Sequence, residues 1–228
     1  MLSEEEIRSD LLNLKEIVAA HKAPNADLAV HKEIISGEEY DVFTKAPRNL
    51  GKLYELGLRS KDETFLVYQT ERYTFSETLY LARRMARVLS EKYQINHGDR
   101  VSICARNSPE WCLAYMAITM IGGVVVPMNS WWKGNEIEYG LSDSGSKLAF
   151  VDQARFNQIQ PLLKSLDIEL IQIKPEQTPT YEEFYSLIQD IDPYSEAEIE
   201  SLNVQPEDNA SIMYTSGSTG NPKGVLST

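Results

Sequence analysis

Between Tyr214 and Val225 the chain reads Tyr-Thr-Ser-Gly-Ser-Thr-Gly-Asn-Pro-Lys-Gly-Val, with three glycines, four Ser or Thr hydroxyls and one lysine in twelve residues. That composition suits the holding of phosphate. Gly217, Gly220 and Gly224 permit backbone angles that other residues resist, so successive N–H groups can converge on one anion. Thr215, Ser216, Ser218 and Thr219 add short hydroxyl donors. Pro222 stiffens the approach to Lys223, whose ammonium can act as a point charge. Lys223 is also the only basic residue from Pro175 to Thr228. A flexible Gly/Ser loop carrying an incidental lysine is the plain alternative. The placement of this cation inside the glycine and hydroxyl run of an acidic stretch favours the phosphate reading.

Two common phosphate motifs fail. A Walker loop, G-x-x-x-x-G-K-[ST], needs glycine at 222 and Ser or Thr at 224, where the chain has Pro222 and Gly224. The dinucleotide fingerprint G-x-G-x-x-G is absent, and Val225-Leu226 reads as a new strand, so the loop is expected to join two strands as a hairpin.

The run Tyr-Thr-Ser-Gly-Ser-Thr-Gly-x-Pro-Lys-Gly resembles the phosphate loop of the adenylate-forming superfamily, which includes acyl-CoA synthetases, luciferases and peptide-synthetase adenylation domains. Upstream, Tyr73-Thr-Phe-Ser-Glu77, Gly98-Asp-Arg-Val101, Asn107-Ser-Pro-Glu-Trp111 and Gly122-Gly-Val-Val-Val-Pro-Met-Asn129 stand in the order such proteins show. The resemblance covers residues 73–225. Gly134 to Tyr139 and Asp143 to Lys147 look most similar to fatty acyl-CoA synthetases. The resemblance implies part of the large N-terminal domain of an ATP-dependent carboxylate–CoA ligase. The carboxylate, a fatty acid, would attack ATP to form acyl-AMP and pyrophosphate, and CoA would then take the acyl group as a thioester. Mg²⁺ would arrive with ATP. Thr215, Ser216, Gly217, Ser218, Thr219, Gly220, Lys223 and Gly224 would bind the nucleotide, with Lys223 the catalytic residue and no residue of the chain a metal ligand. The expectation is an N-terminal fragment, inactive alone and able to self-associate. The alternatives are a non-catalytic ATP-binding module, or another adenylate-forming enzyme such as an acyl-AMP ligase or peptide-synthetase adenylation domain.

The elements expected to position the loop alternate between helix and strand, which predicts an α/β fold with a parallel sheet of βαβ units flanked by helices. Thr74 and Glu77 form a capping-box pattern, and Leu79, Ala82, Ala86, Leu89 and Tyr93 recur on one face, predicting a helix over 75–93. Gly98-Asp99 turns the chain into a strand, 101–105. Ser108 caps a helix with Pro109 at its first position, ending near Gly122 or Gly123. Strands follow at 124–126, 147–151 and 168–173, with a short helix over 135–142. The expected organisation is an N-terminal helical and extended segment, 1–50, with an amphipathic helix from Glu4 to Ala20; an α/β part, 51–174; an acidic, proline-containing connector, 175–206; and the strand–loop–strand, 207–228.

Parallel sheets place ligands beyond the carboxyl ends of their strands, which makes Arg106-Asn107, Met128-Asn129 and Asp152 candidate crevice residues. Trp131 and Trp132 could wall an acyl site, although cover for the sheet is the commoner use of tryptophan. Asp99 and Arg100 are assigned to turn chemistry. His97 has no Ser or Cys partner that would suggest a hydrolase triad. Cys104 and Cys112 have no metal-ligand spacing with His21, His31 or His97 and read as core thiols.

Length and composition fit a soluble, cytoplasmic α/β protein of 228 residues. No run approaches the ~20 apolar residues of a membrane helix. The net charge of -12 excludes a general nucleic-acid binder. Residues 1–114 hold 16 basic and 18 acidic side chains, and residues 115–228 hold 6 and 16, so the acidity is concentrated in the second half.

Overall fold

The computed structural model describes residues 3–35, 37–162, 165–176, 179, 181–215 and 220–228. The chain divides into two compact units, residues 1–48 and 49–228. The first holds helix α1 (Glu4–Lys22) and an antiparallel hairpin of β1 (Val30–Ile35) and β2 (Glu38–Phe43), with Val30 opposite Phe43.

The second unit opens with α2 (Leu50–Leu56), which Asn49 caps by accepting the Lys52 N–H, and with a hairpin of β3 (Thr64–Tyr68) and β4 (Glu71–Thr74). Next comes α3 (Phe75–Arg87), prolonged by a wider π turn over Val88–Lys92. Its start is the capping box expected from sequence: the Thr74 hydroxyl accepts the Glu77 N–H while Glu77 accepts the Thr74 N–H. Leu79, Ala82, Met85, Ala86 and Leu89 are all buried. Each large apolar side chain there contributes about 1.5–3 kcal/mol of transfer free energy.

The main sheet follows, its strands alternating with helices: β5 (Arg100–Cys104), α4 (Pro109–Met120), β6 (Val124–Pro127), α5 (Gly134–Ser144), β7 (Leu148–Val151), α6 (Gln153–Ile159) and β8 (Glu169–Gln172). β9 (Glu182–Glu183), α7 (Phe184–Ile188), α8 (Glu196–Ser201), β10 (Ser211–Thr215) and β11 (Lys223–Ser227) complete the chain. The spatial order is β11-β10-β6-β5-β7-β8-β9; every neighbouring pair is parallel except β10 with β11. This is the α/β fold read from the alternation. The expected strand 168–173 is shorter, Glu169–Gln172, and α5 is longer at both ends than 135–142.

Each sheet face has its own core. On one face, Val101, Ile103, Leu148, Phe150 and Ile171 pack with α3, α4 and α7; on the other, Val126, Ala149, Val151 and Leu170 pack with α5 and α6. Strands buried on both faces carry continuous apolar runs, such as Val124-Val125-Val126 and Leu148-Ala149-Phe150-Val151. Within the expected acidic connector, α7 and α8 dock on the first core through Phe184, Ile188 and Ile199, all buried, while the acidic side chains face outward.

Candidate functional site

Because β10, β6, β5, β7 and β8 are parallel, their carboxyl ends lie on one edge of the sheet. Thr215, Asn129, Arg106 and Asp152 stand at or just beyond those ends. Ligands of such sheets collect at this edge. The phosphate-loop sequence leaves it from β10 and returns as β11, with Thr215 opposite Lys223 and Tyr214 opposite Gly224. The expected hairpin is therefore present. Thr215 Oγ1 donates to the Lys223 carbonyl at 3.4 Å, closing its base. Ser216, Gly217, Ser218 and Thr219 lie outside the described residues.

Opposed residues of an antiparallel pair share a face. Thr215 and Lys223 thus lie on the face opposite to Tyr214 and Gly224. Lys223 is exposed, and among the described residues no carboxylate pairs with it. Its ammonium is available to an incoming anion.

Gly220 and Gly224 do not adopt the left-handed backbone expected of the loop glycines. Positive φ occurs at Gly37, Gly98, Gly122 and Gly145, and neither Gly220 nor Gly224 is among them. Gly224 is a strand residue at which a Cβ would come within 2.8 Å of Ile212 Cγ2, so its missing side chain allows close packing. At Gly220 a Cβ would meet nothing within 4 Å.

On the other face, Tyr214 anchors the hairpin to α5. Its hydroxyl donates to Asp143 Oδ2 at 2.6 Å, and the Tyr139 hydroxyl donates to Oδ1 of the same carboxylate at 3.3 Å. Trp132 meets the Tyr214 ring edge-on at 5.5 Å. Burial, reinforced by the Asp143 charge, raises the Tyr214 phenol well above its ordinary range, so the group stays a neutral donor. Sequence reading missed the role of Asp143, although the i,i+4 spacing of Tyr139 and Asp143 on α5 was a visible signal. The two tryptophans separate: Trp132 is 9% exposed and covers the second core, whereas Trp131 is 82% exposed.

Asp99, Arg100, His97 and Cys104 are structural. Asp99 Oδ2 accepts the Asn96 N–H at 2.9 Å and its Oδ1 pairs with Lys147 at 2.7 Å, fixing the turn before β5. Arg100 donates to the carbonyls of Ser144 and Gly145 at the end of α5. His97 pairs with Asp208 at 2.6 Å. Cys104 is buried, and burial pushes its thiol up to about 12, far from nucleophilic use. Among the described residues no group of three or more His, Cys, Asp or Glu could hold a metal ion, and no helix is long and apolar enough to cross a membrane.

Comparison with known proteins gives a consistent result. The profile of the AMP-binding enzyme family matches residues 55–228. A 4-coumarate–CoA ligase of Oryza sativa subsp. japonica is 32% identical over 168 residues, 68% of this chain and 29% of its own length. The long-chain-fatty-acid–CoA ligase FadD13 of Mycobacterium tuberculosis is 33% identical over 157 residues, 69% of this chain and 30% of its own. The crystal structure of the anthranilate CoA ligase AuaEII in complex with anthranoyl-AMP superposes with a TM-score of 0.73 and 24% identity, covering 80% of this chain and 35% of that one, which shows the shared fold. The chain thus spans about a third of the length of the curated relatives it matches.

Proposed function

The chain belongs to the AMP-binding enzyme family, and we propose on that basis that it is the phosphate-holding part of an ATP-dependent carboxylate–CoA ligase. One observation carries the reading: the β10–β11 hairpin presents Lys223, which no carboxylate among the described residues pairs with, at the carboxyl edge of a parallel sheet, inside the sequence Thr215 to Gly224.

A carboxylate cannot be attacked by a thiol directly, because oxide is a poor leaving group. Attack of the carboxylate oxygen on the α-phosphorus of ATP forms the acyl–phosphate bond and breaks the bond to pyrophosphate. The CoA thiol then attacks the acyl carbon, and AMP leaves. Neither step requires a protein nucleophile; what the protein must do is position the groups and neutralise charge. In this proposal Lys223 and the Thr215 hydroxyl, with Ser216, Gly217, Ser218, Thr219, Gly220 and Gly224, hold the β- and γ-phosphates so that pyrophosphate departs in line. Mg²⁺ would enter bound to ATP, and no residue of the chain is proposed as its ligand.

A fatty acid is the proposed carboxylate, supported by the likeness to FadD13 and by the Gly134 to Lys147 sequence. The likeness to a 4-coumarate–CoA ligase supports an aromatic acid as the second reading. We place the protein in the cytoplasm, which suits its two free cysteines. Residues 1–228 are proposed to grip phosphate without turning over alone.

Pyrophosphate release by the full-length protein, measured against aliphatic acids of graded length and against hydroxycinnamates, tests both parts. Lys223→Ala is expected to slow acyl-AMP formation by at least about a hundredfold, the scale of losing one transition-state charge contact. An unchanged rate removes Lys223 from the reaction. Pyrophosphate release by residues 1–228 alone refutes their inactivity.

A further inference from the structure

The loop end of the β10–β11 hairpin stands beyond the reach of its parallel neighbour. Among the described residues β10 pairs with β6 at one position, Ser211 with Val125. The next partner in that register would be Pro127, which has no N–H to donate, so from Met213 to Thr215 the ladder runs to β11 alone. β11 is itself the edge strand, and side chains must fix where Thr215 and Lys223 stand. Of the two β10 side chains that pack on the second core, Ile212 and Tyr214, Tyr214 lies nearer the loop. Trp132 and Tyr139 hold its ring edge-on at 5.5 Å and 6.5 Å, and its hydroxyl donates to Asp143 Oδ2 at 2.6 Å.

The needs of α5 do not explain Asp143. It lies in the last turn of that helix, where a negative charge opposes the helix dipole. It is exposed, and no cation pairs with it among the described residues. Its hydrogen bonds are to two phenols: Tyr214, and Tyr139 one turn back, whose hydroxyl donates to Oδ1 at 3.3 Å. At this end α5 is firmly held. The buried Ser144 and Ser146 link their hydroxyls at 2.8 Å, and Ser146 meets the buried Ser102 of β5 at 2.6 Å. Arg100, at the start of β5, donates to the Ser144 and Gly145 carbonyls at 2.7 Å and 2.8 Å. The end of α5 is thereby fixed to the central strand of the sheet, and Asp143 extends that hold to the hairpin.

We propose that Asp143 is a positioning residue for the phosphate loop, acting through the Tyr214 hydroxyl to set where Lys223 stands and so how tightly the triphosphate of ATP is held. The proposal rests on the ligase reading above and adds to it a residue outside the Thr215 to Gly224 run, on another element. A misplacement of about 1 Å far from the reacting atoms can cost about a hundredfold in rate, so an anchor of this kind matters more to the ligand than to the fold.

Steady-state pyrophosphate release by the full-length protein provides the test, with Tyr214→Phe, which keeps the ring, and Asp143→Ala, at an exposed position where the fold should survive. Each is expected to raise KM for ATP about tenfold, the scale of one hydrogen bond to a charged group, and to leave KM for the acid unchanged. Asp143→Asn, which keeps an acceptor in place, should recover part of the loss. The double variant should be no worse than either single one, because both break the same bond. Amide hydrogen exchange in the 228-residue chain gives a readout independent of catalysis: both single variants should speed exchange over 213–215 and 223–225 and leave α3 as it is. An unchanged KM for ATP, an equal rise in both KM values, additive losses in the double variant, or exchange that rises in α3 as much as in the hairpin overturns the proposal. A parent that releases no pyrophosphate with any acid refutes the ligase reading and this inference with it; an active parent with unaltered variants refutes the role of Asp143 alone.

Discussion

Neighbouring residues Lys223 and Gly224 show how differently two parts of one motif can serve. Lys223 is exposed and touches no described carboxylate, so Lys223→Ala should leave the thermal midpoint nearly unchanged, within about 0.5 kcal/mol of the parent. Gly224→Ala would push a methyl to 2.8 Å from the side chain of Ile212, whose β-branching leaves it few alternative rotamers. Overpacking of that kind costs about 1–3 kcal/mol and should lower the midpoint of the purified chain. Equal midpoints for the two variants would contradict this division. The chemical promise of Lys223 was legible because its isolation is a property of sequence alone. The reason for Gly224 was not, because it depends on a side chain twelve positions away that is brought close only by the hairpin.

At the scale of elements, legibility followed local hydrogen bonding. The Thr74–Glu77 box, the Ser108 cap with Pro109 at the first helical position, and the βα alternation were readable because each involves residues a few positions apart. A second box, Ser195 with Glu198, starts α8 and offers a direct pH test. The Ser195 N–H and hydroxyl, with the Arg87 guanidinium, hold the Glu198 carboxyl down to about 2. In the unfolded chain it titrates at about 4.3. The folded state therefore binds this proton less readily, and its stabilising contribution is complete above about pH 4.3 and lost as pH falls towards about 2. Glu198→Gln should flatten the decline of thermal midpoint over that interval and change little at pH 7 beyond a constant offset. Parallel profiles for parent and variant would show that the carboxylate is not coupled to folding. Strand ends were less legible than helix starts, since a strand stops where its neighbour stops, and the partner's register is invisible locally.

For the whole molecule, what no local pattern could supply was the order of the strands. Alternation predicted a parallel sheet, but the placement of β5 at its centre, the return of β10 beside β6 and the antiparallel closure by β11 come from packing two cores on opposite faces. That order leaves β11 as an edge strand, exposed along its whole length, with Met213, Val225 and Leu226 between 49% and 58% exposed. An open edge with apolar neighbours is a template for pairing with another strand. Residues 1–228 are accordingly expected to self-associate with increasing concentration. Val225 lies opposite Met213 on the exposed face, and Val225→Lys would place a charge there without disturbing the core beneath Ile212 and Tyr214. Sedimentation velocity over a concentration series should show the parent's weight-average coefficient rising and that of Val225→Lys staying flat. A parent coefficient that does not change with concentration would mean that this edge is sufficiently protected by its own twist and short length, and the expectation would fail.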